Sequence, residues 1–540
     1  MKIALAQLNF FVGDLKKNTE KIINYTLQAK DAGAEIVLFS ELAVTGYPPL
    51  DLLSYHGIIE SAWNKIKEIA KQSKDIMLVV GVPTKSKEEK KKPLYNSAVV
   101  FIDGKIHRVI NKTLLPSYDI FDEDRFFQPN DLFEVIEFIN KRIAITICED
   151  LWFEKKDFYD KNPLDELVKL KPDILFNLSA SPFDVNKLHD RLNIVTNNAK
   201  KYELPICYVN QVGGNTDILF DGGSIVADSK GDICAFGGFF NESLTLTDLD
   251  EIAPIKFNLP SRMSLLRDAL VLGIRDYCLK SGFKKAILGL SGGIDSALVA
   301  VLAVRALGKE NVRVLLMPSE YSSDHSITDA KHLAENLGID YDIISIQSSY
   351  KELQSMLVPL FEGKEFDVAE ENIQSRIRGL MLMAMSNKHG YILLNTTNKS
   401  EMAVGYGTLY GDMCGGISVI GDIYKSEVYG VSKFLNKDKE IIPVNIINKE
   451  PSAELRPDQK DTDSLPKYEV LDPILFDYIE LKKSKQEIIK KHNEEAMISK
   501  IIGLVNRAEY KRYQAAPVLR VSTKAFGMGR QVPIVAKFDF

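Results

Sequence analysis

The chain has 540 residues, 45% hydrophobic and 26% charged, with a formal net charge of −6. That length exceeds one ordinary core and predicts two domains of roughly 250 residues. The acidic balance argues against a general nucleic-acid binder, and five scattered cysteines argue for a reducing compartment rather than a disulfide framework.

In chain order, short apolar strands alternate with helix-period stretches. Strands are predicted at Ile3–Leu8, Ile36–Ser40, Ile76–Gly81, Ser97–Ile102, Arg142–Ile147, Ile174–Asn177 and Ile206–Asn210, with helices at Asn18–Ala32 and Ile58–Gln72. The charged run Lys85–Lys92 reads as a solvated loop rather than a binding patch. Near Ser243–Pro260 the strand pattern fades into a linker, and a helix is expected to begin around Ser264. A second alternation follows, with strands at Ala286–Leu290, Val312–Pro318, Ile343–Ile346 and Ile392–Thr396. Both halves are α/β by this pattern. The polar stretch Arg456–Lys467 reads as a mobile loop of the kind that closes over a site. The first residues lack the long apolar run and cleavage site of a signal peptide. No stretch approaches the ~20 apolar residues that span a bilayer, so a cytoplasmic protein without a membrane partner is expected.

Three residues of the first half fall at or just past strand ends, where α/β folds place their sites: Glu41, Lys112 and Cys148. A thiol attacks only as thiolate and needs a base or cation beside it. Lysine lowers the thiol pKa and stabilises an oxyanion, and glutamate moves the protons. Together the set suffices for amide hydrolysis through a thioester. The segments FSELAVTGYPPLDLL, NKTLLPSYDIFDEDRFF and ITICEDLW resemble the three motifs of the carbon–nitrogen hydrolase (nitrilase) superfamily. The resemblance implies a four-layer α-β-β-α sandwich, with Glu41 as general base, Lys112 as stabiliser of the tetrahedral intermediate and Cys148 as nucleophile. Within the glutaminase branch, Tyr118, Ser181 and Lys187 match positions that contact glutamine, with Arg191 near enough to compete with Lys187. Glu123 is a second carboxylate suited to positioning the lysine or the substrate. Cys207, Cys234, Cys278 and Cys414 read as structural, and no C-x-x-C pair suggests zinc.

In the second half, a strand runs directly into Ser291-Gly292-Gly293-Ile294-Asp295-Ser296 and then an apolar helix. Strand, glycine loop and helix N-terminus together make a phosphate cradle, although no G-x-x-x-x-G-K-[ST] occurs. The pattern resembles the pyrophosphate loop of ATP pyrophosphatases, which implies a doubly wound parallel-sheet domain that releases pyrophosphate and forms an adenylate. It places Gly289, Leu290, Ser291, Gly292, Gly293, Ile294, Asp295 and Ser296 on ATP, with Asp295 as a magnesium ligand.

The segments MPSEYSSDHS, EENIQSRIRG, NTTNKSEMAVGYGTLYGDMCG, DIYKSEVY and NKEPSAEL resemble the NAD synthetase family. That resemblance puts Thr396 and Thr397 at ATP and Glu401 at magnesium or substrate. It puts Asn372, Glu401 and Lys511 at deamido-NAD, Asp412 near the nicotinate end and Lys425 at phosphate. Arg376, Arg378 and Arg512 read as further cations serving the dinucleotide, and Ala525–Ile534 resembles the tail of the glutamine-dependent branch. The expected organisation is a glutaminase domain over 1–250, a linker over 251–264 and a synthetase domain over 265–540. Its expected ligands are glutamine, ATP with Mg2+, and deamido-NAD, and a homo-oligomer, at least a dimer, is expected. Two other readings compete: an amidotransferase acting on another adenylated carboxylate, and a binding protein with decayed sites. EENIQSRIRG and NKSEMAVGYGT weigh against the first, and the presence of Glu41, Lys112, Cys148 and Asp295 against the second.

Overall fold

In a computed structural model, residues 1–86, 92–155 and 158–536 are described. Most of the charged run Lys85–Lys92, namely 87–91, lies outside them. The chain divides into two compact units, Met1–Leu259 and Pro260–Phe540.

The first unit holds two six-stranded sheets. One orders Ser243–Asp248, Lys2–Gln7, Ile36–Phe39, Met77–Lys85, Leu94–Ile102 and Lys105–Asn111 across its width. The other orders Ile233–Phe236, Ile225–Ala227, Ile206–Asn210, Ile174–Ser179, Lys141–Ile147 and Ile136–Phe138. Alternation along the strands makes the layers. Ile3 and Leu5 pack with Ile36 and Leu38 against Ile145, Ile147, Phe176 and Leu178 of the other sheet. Their neighbours Ala4 and Ala6 face away, onto Ile22 and Ala29 of the helix Leu15–Asp31 and Ala62 and Ile66 of the helix His56–Ala70. On the second sheet Ala144, Leu175 and Ile206 meet Leu192 and Val195 of the helix Leu188–Tyr202. The order is helix, sheet, sheet, helix.

Several strands depart from the sequence reading, and two of them show why. Ser243–Asp248 begins the stretch read as a linker, yet it pairs antiparallel along all of Lys2–Gln7. Its alternation is half polar, and the ladder that holds it is non-local, so the local pattern is weak. Lys105–Asn111 was not anticipated, because most of its side chains face solvent at a sheet edge.

In the second unit five parallel strands run in the order Asp340–Ile343, Val312–Leu316, Lys285–Gly289, Tyr391–Asn395 and Ile417–Ser418. The strand order reverses between Lys285–Gly289 and Tyr391–Asn395, leaving a crevice at their carboxyl ends. The helix Ile294–Leu307 is apolar nearly all round and accordingly buried. It packs between the sheet and the helices Arg262–Lys280 and Lys425–Leu435. Arg262–Lys280, capped by the Ser261 hydroxyl, starts inside the stretch read as linker. The strand expected at Ile343–Ile346 lies instead at Asp340–Ile343, on one edge of the sheet. Among the described residues no helix is long and apolar enough to cross a membrane.

Two candidate active sites

The first unit gathers Glu41, Lys112 and Cys148 from three strand ends. Gly81 makes the first placement possible: a Cβ there would lie 2.3 Å from the Leu42 nitrogen and 2.4 Å from the Ser40 carbonyl. Only glycine lets the neighbouring strand press against the turn that carries Glu41. Lys112 follows the edge strand Lys105–Asn111, and its ammonium is fully enclosed. It donates to Glu41 Oε1 at 2.6 Å and to both Glu123 oxygens at 2.9 and 2.8 Å. Asn96 Nδ2 donates to Glu41 at 2.7 Å and Tyr47 OH to Glu123 at 2.8 Å, while the Ala180 amide donates to Glu41 Oε2 at 3.0 Å.

Cys148 sits at φ +44°, a left-handed conformation uncommon for a residue with a side chain. It turns the chain sharply out of the strand Lys141–Ile147. Asp150 braces this corner by accepting from the amides of Ile147, Leu114 and Thr113 at 2.9, 2.8 and 3.0 Å. Burial and the charge of Glu41 push the Cys148 thiol well above its ordinary value, with Lys112 pulling the other way. Burial pushes the Glu123 carboxyl up to about 7, against the pull of Lys112. Burial also pulls on the Lys112 ammonium, but Glu123 and Glu41 hold it well above its usual value. Attack by this thiol therefore calls for a base beside it.

Tyr118 is close by, its hydroxyl donating to Glu149 at 2.8 Å, as does Tyr159 at 3.1 Å. Ser181 is buried and pinned by Asn210, which accepts from its amide at 2.8 Å. Lys187 is half exposed, 3.6 Å from Asp184. Arg191 is buried in a two-pronged pair with Asp221. Of the two cations, Lys187 is the more exposed and the more loosely paired.

In the second unit a cavity of about 440 Å³ opens at the crevice. It is lined by Gly289, Leu290, Ser291, Gly293, Ile294, Asp295, Ser296 and Thr396, and also by Asn372, Thr397, Glu401, Asp412, Lys425 and Lys511. Gly292 does not line it. At φ +80°, with a Cβ that would lie 2.3 Å from the Ser326 carbonyl, it lets the loop pass over the helix Asp324–Leu337. Lys425 Nζ bridges Asp295 at 2.5 Å and Glu401 at 3.1 Å, and Asn398 Nδ2 donates to Asp295 at 2.8 Å. Burial pushes the Glu401 carboxyl up to about 8 despite the pull of Lys425, and Asp295 adds to the rise. Asp295 and Glu401 thus present hard oxygen donors to one shared cation beside a phosphate-type loop. That donor set suits magnesium, which takes one or two carboxylates and completes its shell with phosphate and water. Among the described residues no cluster of three or more metal-ligating side chains forms a closed cage.

Thr408 donates to Asn372 Oδ1 at 2.6 Å, leaving the Asn372 amide nitrogen to act as a donor. Lys511 donates to the carbonyls of Gly405 and Gly407 at 2.8 and 2.7 Å.

The carbon-nitrogen hydrolase family model matches residues 2–256 and the NAD synthase model residues 266–515. A glutamine-dependent NAD(+) synthetase of Synechocystis sp. is 48% identical, the alignment covering 99% of each chain. The chain belongs to the glutamine-dependent NAD(+) synthetase family. The Thermotoga maritima member is 39% identical, over 100% of this chain and 99% of its own. The solved synthetase from Acinetobacter baumannii, in complex with adenosine diphosphate, has a TM-score of 0.79 at 38% identity, covering 99% of this chain and 98% of that one.

Against this family background several cations change role. Arg512 is buried and donates to the Ala403 and Val505 carbonyls at 2.7 and 2.6 Å and to Glu509 at 2.6 Å, so it ties helices together rather than serving a ligand. Arg376 is exposed and does not line the cavity. Arg378 does line it, donating to the Met317 carbonyl at 3.0 Å, and burial lowers its pKa to about 10. Cys414, read as structural, also lines the cavity. Among the contributors that escaped the sequence reading are Asn96, Tyr47, Asn398 and Asp461. Asp461 comes from the polar stretch Arg456–Lys467, which folds as a short 3-10 turn, Asp461–Asp463.

Proposed function

We propose that this chain converts deamido-NAD to NAD with ammonia taken from glutamine, at the cost of ATP. One observation carries this reading. A single chain holds a buried Glu41–Lys112–Glu123 cluster beside Cys148, and also a phosphate-type loop at a topological switch point with Asp295 and Glu401 above it.

In the first unit Cys148 Sγ attacks the side-chain amide carbon of glutamine as Glu41 takes the thiol proton. Lys112, held by Glu123 and Glu41, faces the developing oxyanion. Collapse breaks the C–N bond, Glu41 returns the proton to the departing ammonia, and a thioester remains. Water, deprotonated by Glu41, then releases glutamate and regenerates the thiol. Tyr118, Ser181 and Lys187 receive the substrate, and the half-exposed ammonium of Lys187 suits its carboxylate.

In the second unit the nicotinate carboxylate attacks the α-phosphorus of ATP, breaking its bond to pyrophosphate. The loop 289–296 offers backbone N–H groups to the phosphates, and Thr396 contributes a hydroxyl. Asp295 and Glu401 would hold magnesium, which supplies charge neutralisation at the phosphate oxygens. Asn372 and Lys511 orient the dinucleotide. Ammonia then attacks the acyl carbon, AMP leaves, and loss of one proton gives the amide. We place the enzyme in the cytoplasm, as a homo-oligomer of at least two copies.

The test is incubation with deamido-NAD, ATP and magnesium, with glutamine or ammonium as nitrogen source. NAD, AMP and pyrophosphate should appear in equal amounts. ADP and orthophosphate in their place would overturn the adenylation step.

A further inference from the structure

The helix Lys399–Val404 carries Glu401 and is capped by Asn398, whose side chain accepts from the Glu401 amide at 3.0 Å and donates to Asp295 at 2.8 Å. Lys399, the residue after the cap, points the opposite way and is fully enclosed. Its ammonium donates to Asp422 at 2.9 Å, Ser522 Oγ at 2.7 Å, the Lys524 carbonyl at 2.8 Å, and Glu480. The same two carboxylates hold the tail backbone: Asp422 Oδ2 accepts from the amides of Val521 and Ser522 at 2.8 and 2.7 Å, and Glu480 from that of Lys524 at 2.8 Å. Just upstream the tail pairs with the edge strand, through Ser418 N to the Pro517 carbonyl at 2.8 Å. Among the described residues none beyond Lys511 lines the cavity, so the tail does not touch it.

We propose that Lys399 is a positioning residue that makes the C-terminal tail part of the synthetase centre, fixing the Asn398–Glu401 turn through Val521–Lys524. The inference rests on the reading of Asp295 and Glu401 as the carboxylates of the ATP site. With four acceptors around its three N–H donors and no exposure to solvent, the ammonium is held in place, and with it the start of the turn. Coupling of this kind is reciprocal: if the tail fixes the turn, a ligand gripping the turn must quieten the tail.

The test uses the full chain and adenosine diphosphate with magnesium. Hydrogen exchange at the amides of Val521, Ser522 and Lys524 should slow about fivefold on binding. Unchanged exchange there would overturn the proposal, since a merely structural contact has no reason to respond. In parallel, Lys399→Met and the milder Ser522→Ala should weaken binding of the same nucleotide by about fivefold, with glutamine hydrolysis retained as a check on the other unit. If Lys399→Met fails to fold, Ser522→Ala decides alone, and native affinity in that variant sinks the idea. Asp295→Asn separates the two levels. Native affinity in Asp295→Asn strikes at the site reading itself. A weakened Asp295→Asn beside an unmoved Ser522→Ala strikes at Lys399 only.

Discussion

Replacing Lys112 with Met keeps most of the side-chain volume and removes only the ammonium. The three donations it makes, to Glu41 at 2.6 Å and to Glu123 at 2.9 and 2.8 Å, all lie in a fully buried pocket. Removing one partner of a buried ion pair leaves uncompensated charge and costs about 3–5 kcal/mol. For a unit of this size that corresponds to a fall of roughly 6–20 °C in melting temperature. The loss should depend on pH. The Glu123 pKa is raised, to about 7, so the folded state binds protons that the unfolded state has released, and this group's effect on stability worsens as pH rises from 4.5 through 7. Without Lys112 both carboxylates lose their cation, and the penalty is greatest where both are ionised. Calorimetry at pH 8 and pH 6 should therefore show the larger deficit at pH 8, in the transition of the first unit. A shift under about 2 °C at pH 8, against the 2–4 °C expected per kcal/mol, would refute the argument. So would a deficit that grows on acidification.

Cys148→Ala should make no NAD from glutamine yet make it from ammonium, measured with each nitrogen source by enzymatic reduction of the product to fluorescent NADH. Asp295→Asn should lose NAD formation with both sources while still hydrolysing glutamine, because the two chemistries reside in different units. Gly292→Ala should do the same, at a stability cost of about 1–3 kcal/mol, since its Cβ would lie 2.3 Å from the Ser326 carbonyl. Lys187→Ala should raise the KM for glutamine about tenfold with little change in kcat, as expected when a ground-state binding contact is removed. A change confined to kcat would speak against its role.

What was legible in the sequence was chemistry at strand ends. Glu41, Cys148 and the loop from Ser291 each follow a buried apolar run that is readable by itself, and the structure brings the first two into one cluster with Lys112. What surrounds them was not legible, because it depends on distant pairing. Asn96 and Tyr47 are ordinary residues until the fold turns one toward Glu41 and the other toward Glu123. The φ of +44° at Cys148 leaves no mark on a chain without a glycine at that position. Ser243–Asp248 looks like linker until Lys2–Gln7, more than two hundred residues upstream, supplies its ladder. Arg512 shows the reverse error. A basic pair near the end of a nucleotide-binding chain suggests ligand contact, but its guanidinium is spent on helix carbonyls.

Among the described residues one arrangement occurs at three places, a lysine clasped between two carboxylates, and exposure divides its uses. Lys112 lies between Glu41 and Glu123, and Lys399 between Asp422 and Glu480, with every side chain in both sets at most 6% exposed. Lys425 lies between Asp295 and Glu401, whose side chains are 17% and 16% exposed to the cavity. In an enclosed clasp no cation from solvent can displace the lysine, so the ammonium is permanent and acts through its charge and its fixed position. In the open clasp the carboxylates face ligand as well as lysine, so a divalent ion arriving with phosphate can share or replace the ammonium. The same three residue types therefore supply a fixed charge beside Cys148, an anchor for the tail, and an exchangeable site at the phosphate loop. The local motif is the same each time, and access decides which of these it becomes.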